Sequence, residues 1–332
     1  MDVRVRYPFL GRRTQGFDIR AKWFTALYDV IRSRIRTEVL RLYYVGTSPL
    51  FNPAYRLQMV VFEQGSAITH IPSQLQSFLL RRRHSAPTVI TCYDLSLPET
   101  LTRLPLADRV VVPARQVRDA LLEAVRLPRE PDVVPLAVPA AYRPADVGRE
   151  RGVILSVGTE QSRKNMEGLF RIVARVRQSM PVTLVKVGAP SDARPRLRKL
   201  AAELGIEDHL EWRDSVPEEE LVQLYQTAAV AVVPSFLEGF SMPSLEAMAC
   251  GCPLIASTMS AIPETVGAGG LLLDPHDEGA WADAILRVLT DSAFARELSR
   301  RGVERSKAFS AERSASRLIQ IYEEMWTDRG WA

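Results

Sequence analysis

The stretch SFLEGFSMPSLEAMACG, Ser235–Gly251, lies between the apolar runs AVAVVP and PLIAS. Both runs are short and continuous, as in strands buried on both faces. Between them Gly239 sits in a turn that allows close approach of the backbone to a ligand. Ser241 stands where an N-cap belongs, Pro243 suits a first helical turn, and Gly251 marks a stop. Strand, turn, short helix and strand make a βαβ unit, which dictates a parallel sheet.

The alternation extends outward. VILSVG (153–158) and VTLVKVG (182–188) read as strands around the helical pattern MEGLFRIVARVRQSM. LRKLAAELG is a helix, HLEWR a strand and EEELVQLYQTA a helix, while GLLLDP and EGAWADAILRVLTD continue on the other side. A series of strand–helix pairs with short loops is a doubly wound α/β domain. The first half repeats the theme. VRVRYPF, LRLYYVG, SAITHIP, TVITCYDL, DRVVVPA and PDVVPLAVP read as strands, with a long amphipathic helix expected over Phe17–Arg36. Arg81–Arg83 look like the basic end of a helix, which the helix dipole favours. The polar stretch Tyr142–Gly152 reads as an interdomain linker. Open parallel sheets bind ligands at their strands' carboxyl ends, so two such domains predict a site in the cleft between them.

At 332 residues, with 46% hydrophobic and 25% charged side chains, the chain suits two soluble domains. No apolar run has the length of a membrane span, and MDVRVRYPFLGRR lacks the core of a signal peptide. Cys92, Cys250 and Cys252 offer neither metal spacing nor an even count for disulfides, which predicts a reduced cytoplasmic compartment. Residues 1–150 hold 22 Lys/Arg against 14 Asp/Glu, whereas residues 151–332 hold 21 against 25. A basic first half attracts phosphorylated substrates, anionic membranes or nucleic acid. The absence of GxGxxG after the first strand disfavours a nicotinamide dehydrogenase, and that of GxxxxGK[ST] a P-loop NTPase.

Glu238 falls at a strand's carboxyl end, in the ligand-facing loop, and Glu246 on the following helix, expected in or near its first turn. The amides of Gly239, Phe240, Ser241 and Met242 lie between them, at a helix N-terminus suited to a diphosphate. The pair thus reads as a clamp for sugar and ribose hydroxyls rather than as an acid and a base. A first-turn acid also simply suits the helix dipole, and for Glu246 that reading stays open. A diphosphate needs cations. SVGTEQSRKN supplies Arg163 and Lys164 in the loop after a strand, with Asn165 placed to cap the next helix.

EGFSMPSLEAMACGCPLIAS…SAIPETVGAGGLLLDP, together with SVGTEQSRKN, resembles the signature of the family 4 retaining glycosyltransferases, the group 1 glycosyltransferases of GT-B fold. The resemblance is strong over roughly residues 105–325. It implies two Rossmann-like domains facing across a cleft. Residues 1–147 would bind the acceptor and 148–311 the nucleotide-sugar donor, with a helix at 312–330 crossing back to the first domain. It implies that Arg163 and Lys164 neutralise the donor diphosphate and that Glu238 and the Gly239–Ser241 amides hold the sugar. Glu246 would bind the ribose, and Arg213 and Asp214 would lie near the base. It implies no metal and no cofactor, the donor being a GDP- or UDP-sugar. The family often carries a His-Asp pair in its first domain, where this chain has Tyr93 and Asp94. His70 reads either as a second cleft residue or as a structural histidine at a strand end. Arg12 and Arg13, in the loop after the first strand, can meet an acceptor phosphate or simply face solvent.

The implied function is retaining transfer of a hexose, in particular mannose, to a lipid-linked or glycan acceptor, at the inner face of the membrane and with peripheral contact to it. Nucleic acid is not an implied partner. Two alternatives stay open: a catalytically weak or inactive GT-B protein that binds a nucleotide sugar or glycan, motivated by Tyr93, and a GT-B nucleotide-sugar epimerase.

Overall fold

The computed structural model describes residues 3–11, 27–43, 67–80 and 86–330. The chain divides into one unit of Met1–Pro139 with Ser310–Ala332 and a second of Ala140–Phe309. In the first, β1 (Arg4–Gly11), β2 (Arg36–Tyr43), β3 (Ile68–Ile71), β4 (Thr88–Thr91), β5 (Arg109–Val112) and β6 (Asp132–Val133) form a sheet of order β2-β1-β3-β4-β5-β6. All its pairings are parallel. Every residue of β3, β4 and β5 is buried, which is why these strands read as unbroken runs. β6 has only two residues because Pro131 and Pro135 bracket it, and proline cannot donate to a ladder.

The helix expected over Phe17–Arg36 ends earlier. Residues 27–32 are helical, with Leu27 and Ile31 fully buried, and residues 17–26 lie outside the described residues. The chain turns at residues 33–34, where Arg34 N–H donates to the Ile31 carbonyl at 3.0 Å, and β2 begins at Arg36 opposite Arg4. Ile35, Thr37 and Val39 alternate as β-branched residues, and pairing with β1 overrides the helical spacing. The SQLQSFLL segment is a 3-10 helix, Gln74–Leu79, with Ser73 Oγ accepting from Leu75 N–H at 3.3 Å. The Arg81–Arg83 run lies outside the described residues.

The last helix, Ala311–Asp328, completes this unit, with Leu318, Ile321, Tyr322, Met325 and Trp326 buried. Polar ties accompany the packing. Arg109 bridges Asp132 at 2.8 Å and Glu324 at 2.7 Å, Arg317 reaches Asp132 at 2.9 Å, and Ser314 Oγ donates to the Pro135 carbonyl at 2.7 Å.

The second unit contains β7 (Glu150–Val157), β8 (Thr183–Val187), β9 (Leu210–Arg213), β10 (Ala228–Val233), β11 (Leu254–Ser257) and β12 (Leu271–Leu273). Their order is β12-β11-β10-β7-β8-β9, again parallel throughout. Glu150–Gly152, expected in the linker, belong to β7, and Tyr142 is buried with its ring 6.3 Å from Tyr225. The chain winds outward from β7 to β8 and β9, then returns to place β10 on the other side of β7. That reversal is the topological switch point, and the loops after β7 and β10 flank it. Beneath the sheet Leu169, Phe170, Ile172, Val173, Trp281 and Ile285 form a core of fully buried side chains. Gly188, ending β8, has φ +135, and a Cβ there would lie 2.2 Å from the Gly158 carbonyl oxygen. Glycine is what lets the ends of β7 and β8 approach so closely.

Candidate functional site

The loops at the switch point bring Glu238, Lys164 and Arg163 together. Glu238 follows β10, and its carboxylate is almost enclosed. Oε1 accepts from Lys164 Nζ at 2.5 Å and from Ser235 Oγ at 2.9 Å, while Oε2 faces Arg163 Nη1 at 3.4 Å. Arg163 Nη1 also donates to the Leu237 carbonyl at 3.0 Å and Nε to Gln161 at 2.9 Å. One carboxylate against two cations leaves this group with a net charge of about +1 at the strand ends, favourable for an anion.

Local backbone geometry holds these groups. Asn165 has φ 53, a left-handed conformation that asparagine tolerates, and its Oδ1 accepts from Gly168 N–H at 3.2 Å as the expected cap. Its Nδ2 donates to the carbonyls of Pro234 and Pro275 at 3.2 and 3.3 Å, tying the β7 loop to the loops after β10 and β12. Phe236 N–H donates to the Arg163 carbonyl at 2.8 Å. Ser260, also left-handed at φ 58, donates its hydroxyl to the Glu238 carbonyl at 2.7 Å and accepts from Glu238 N–H at 3.3 Å. Sequence reading did not single out Ser235 or Ser260; small hydroxyl residues in loops carry little signal on their own.

The helix Met242–Ala249 begins as expected, with Pro243 in its first turn. Ser241 differs. It precedes the helix but has φ 72, and its hydroxyl pairs with Ser244 Oγ at 2.7 Å instead of accepting from a first-turn amide. Within that turn Ser244 N–H already meets the Ser241 carbonyl at 3.1 Å and Pro243 has no N–H, so it is the Met242 amide and the dipole of the helix N-terminus that suit an anion. Phe240 contributes backbone only, since its ring is buried on Phe309 with centroids 5.5 Å apart. Gly239 and Met242 complete the same turn, partly exposed.

Glu246 lies beyond the first turn, because the helix begins at Met242. Its Oε2 accepts from the Tyr225 hydroxyl at 3.0 Å. Burial and the charge of Glu246 raise the Tyr225 pKa well above its ordinary value, so the phenol stays a donor. Arg213 pairs with Glu211 at 2.5 Å and Glu220 at 2.6 Å, and Asp214 with Arg194 at 2.6 Å. Arg194 leads to Glu160 and Lys186, a buried charged pair at 3.0 Å. A lysine inside the apolar strand VTLVKVG was a legible signal for it.

Tyr93, Asp94 and His70 belong to the first unit. Tyr93 is 8% exposed, with its N–H donating to Gln74 Oε1 at 3.0 Å. Asp94 Oδ1 accepts from Ser96 N–H at 3.0 Å and Ser96 Oγ at 2.5 Å, closing a local turn. His70 is 1% exposed, in hydrogen-bond contact with Tyr322 Oη through Nδ1 at 2.5 Å and with Thr91 Oγ1 through Nε2 at 2.8 Å. Tyr322 Oη also contacts Tyr7 Oη at 3.2 Å. Burial lowers the His70 pKa to about 3. This corrects the cleft reading: the imidazole is engaged in the structural network that receives the last helix. Arg12 and Arg13 lie outside the described residues. Among the described residues no three His, Cys, Asp or Glu side chains gather as a metal site, and no helix is long and apolar enough to cross a membrane.

Two parallel six-stranded sheets with a cationic switch point define an α/β protein of GT-B fold. Residues 151–291 match the family described as Glycosyl transferases group 1. The O-antigen chain mannosyltransferase B of Escherichia coli is 30% identical over 310 residues, covering 89% of this chain and 79% of that protein. Several longer curated relatives are matched over about half of their length. Sucrose-phosphate synthase from Thermosynechococcus elongatus superposes with a TM-score of 0.80 at 22% identity, covering 98% of this chain and 100% of that one. Anabaena HepE, in complex with UDP and glucose, gives 0.77 at 16% identity, covering 97% and 100%. The chain belongs to the group 1 glycosyltransferases.

Proposed function

We propose that this glycosyltransferase moves a hexose, mannose in particular, from a GDP- or UDP-sugar to a glycan or lipid-linked acceptor, with retention of configuration and without a metal. The observation that carries the proposal is the Lys164–Glu238–Arg163 group at the switch point of the second unit. On this reading Lys164 and Arg163 take the diphosphate, aided by the Met242 amide and the N-terminal dipole of Met242–Ala249. Donor phosphates then share the Lys164 ammonium with Glu238, whose carboxylate accepts hydrogen bonds from the sugar hydroxyls. Fixed cations and amides stabilise the charge that develops on the departing diphosphate. A phosphate oxygen on the same face of the sugar takes the proton of the attacking acceptor hydroxyl, which gives retention. Glu246 serves the ribose and Asp214 the base, while the first unit takes the acceptor at the inner face of the membrane. The mannosyltransferase relative supports the sugar, and the UDP-bound structural neighbour supports the donor class.

The test measures transfer from GDP-, UDP- and ADP-sugars, with the anomeric configuration of the product read by NMR. Product with inverted configuration, or turnover unaffected by both Lys164→Ala and Glu238→Ala, refutes the mechanism. The near-enclosed Tyr93 favours one second reading, a nucleotide-sugar-binding protein without turnover. Saturable binding with no product from any donor and acceptor pair would select it.

A further inference from the structure

Outside the Lys164–Glu238 group, a second charged cluster occupies the carboxyl ends of β7, β8 and β9. At its centre the Glu160 side chain is fully enclosed. Oε1 accepts from Lys186 Nζ at 3.0 Å and Arg194 Nε at 2.6 Å, and Oε2 from Ser191 N–H at 3.0 Å. Lys186, 1% exposed, also donates to the Gly188 carbonyl at 2.6 Å. Arg194 continues outward. Its guanidinium lies 4.2 Å from the centre of the Trp212 ring, and Nη2 meets Asp214 Oδ1 at 2.6 Å. Exposure rises along this path from 0% at Glu160 to 14% at Arg194 and 56% at Asp214.

Stability alone does not account for such a cluster. Burying charges costs several kcal/mol per ion, and well-packed apolar groups of similar volume often serve stability equally well. What charged groups add is orientation. Burial alone would raise the Glu160 pKa, but hydrogen bonds from Arg194, the Ser191 amide and Lys186 hold it below the usual carboxylate range. The junction therefore stays ionised. Glu160 precedes Arg163 and Lys164 on the same short loop, and through Arg194 it also fixes Asp214 beyond β9.

We infer that Glu160 and Arg194 are positioning residues for the nucleotide. Glu160 anchors the loop that carries the diphosphate cations, and Arg194, held over Trp212, sets the Asp214 carboxylate toward the base at a fixed span from them. This rests on the donor reading above. The two residues touch no reacting atom; they fix the distance between the two ends of the ligand.

Isothermal titration of the full chain with GDP, UDP and inorganic pyrophosphate separates this from a purely structural role. Arg194→Ala releases Asp214 but keeps the Glu160–Lys186 anchor. It weakens the preferred nucleoside diphosphate by about tenfold, the loss of one charged hydrogen bond, and leaves pyrophosphate within about twofold. Glu160→Gln weakens both. Asp214→Asn, at an exposed position that does not threaten folding, reproduces the selective loss. In kinetics, Arg194→Ala and Asp214→Asn raise KM with kcat nearly unchanged, while Glu160→Gln also lowers kcat. Equal weakening of both ligands by Arg194→Ala, or a lower Tm with unchanged affinities, overturns the inference alone. An Asp214→Asn variant that binds like the wild type does the same. A wild-type chain that binds no nucleoside diphosphate overturns the donor reading together with it.

Discussion

The two units each place polar side chains near the middle of a parallel sheet and use them in opposite ways. In the first, His70, Thr91, Tyr322 and Tyr7 are all buried in one hydrogen-bonded group, and the histidine is held neutral. In the second, Glu238 meets two cations and the group retains net positive charge beside a helix N-terminus. A network that balances itself is a fastener; one left with charge over awaits a ligand. The residue types alone do not separate the cases, since a strand-end histidine and a strand-end glutamate are both reasonable catalytic candidates.

The sharpest way to break the contrast is Lys164→Ala. On the functional reading it lowers kcat by about 100-fold or more per folded molecule, the usual scale for one lost electrostatic contact to a transition state, beyond the fall in Tm that follows from leaving the enclosed Glu238 with Arg163 alone. A large fall in Tm with activity retained per folded molecule would make this group another fastener. On the other side, Tyr322→Phe removes the hydroxyl shared by His70 and Tyr7. It should destabilise the protein by about 1–3 kcal/mol in denaturant unfolding, with donor affinity in the second unit unchanged.

Acidity probes the same network without mutation. His70 has a folded pKa of about 3 against an ordinary 6.5, so below pH 6.5 the unfolded chain binds a proton that the folded chain refuses. Stability from this residue is complete above pH 6.5 and falls with pH, by about 1.4 kcal/mol for each full unit well below 6.5 and above the folded value. Denaturant midpoints across pH 7 to 5 measure this, and His70→Gln should flatten that part of the profile. The smallest effect is expected at Asn165→Ala, which loses a helix cap. About 1 kcal/mol of stability should go, accompanied by a rise in donor KM because the cap also ties the Arg163–Lys164 loop to its neighbours.

The parallel order of the second unit was readable because each strand there is a short apolar run closed by a turn residue, and each helix has its stop. The Lys164–Glu238 meeting was readable only as far as the switch-point rule takes it: strand ends converge, but the 2.5 Å contact is a tertiary fact. His70 was half readable. Nothing local in AITHIPS says that Tyr322, 252 residues away, will occupy Nδ1. The Phe17–Arg36 helix ran too far because helical spacing and β-branched alternation overlap at Ile31–Thr37, and only pairing with β1 decides between them. The helix start after Ser241 is legible in the sequence, and it makes Glu246 the fifth residue of the helix, just past the first turn.

The placement of Ala311–Asp328 bears on how the protein is made. Synthesis runs from the N-terminal side, and domains generally fold as they emerge. Here the first sheet is completed by a helix whose codons are read after the whole second unit, so Ala140–Phe309 can finish folding while residues 1–139 still wait for a cover. The earlier-made unit is the later one to mature. During that interval the surface of β3 that will receive Tyr322 is uncovered.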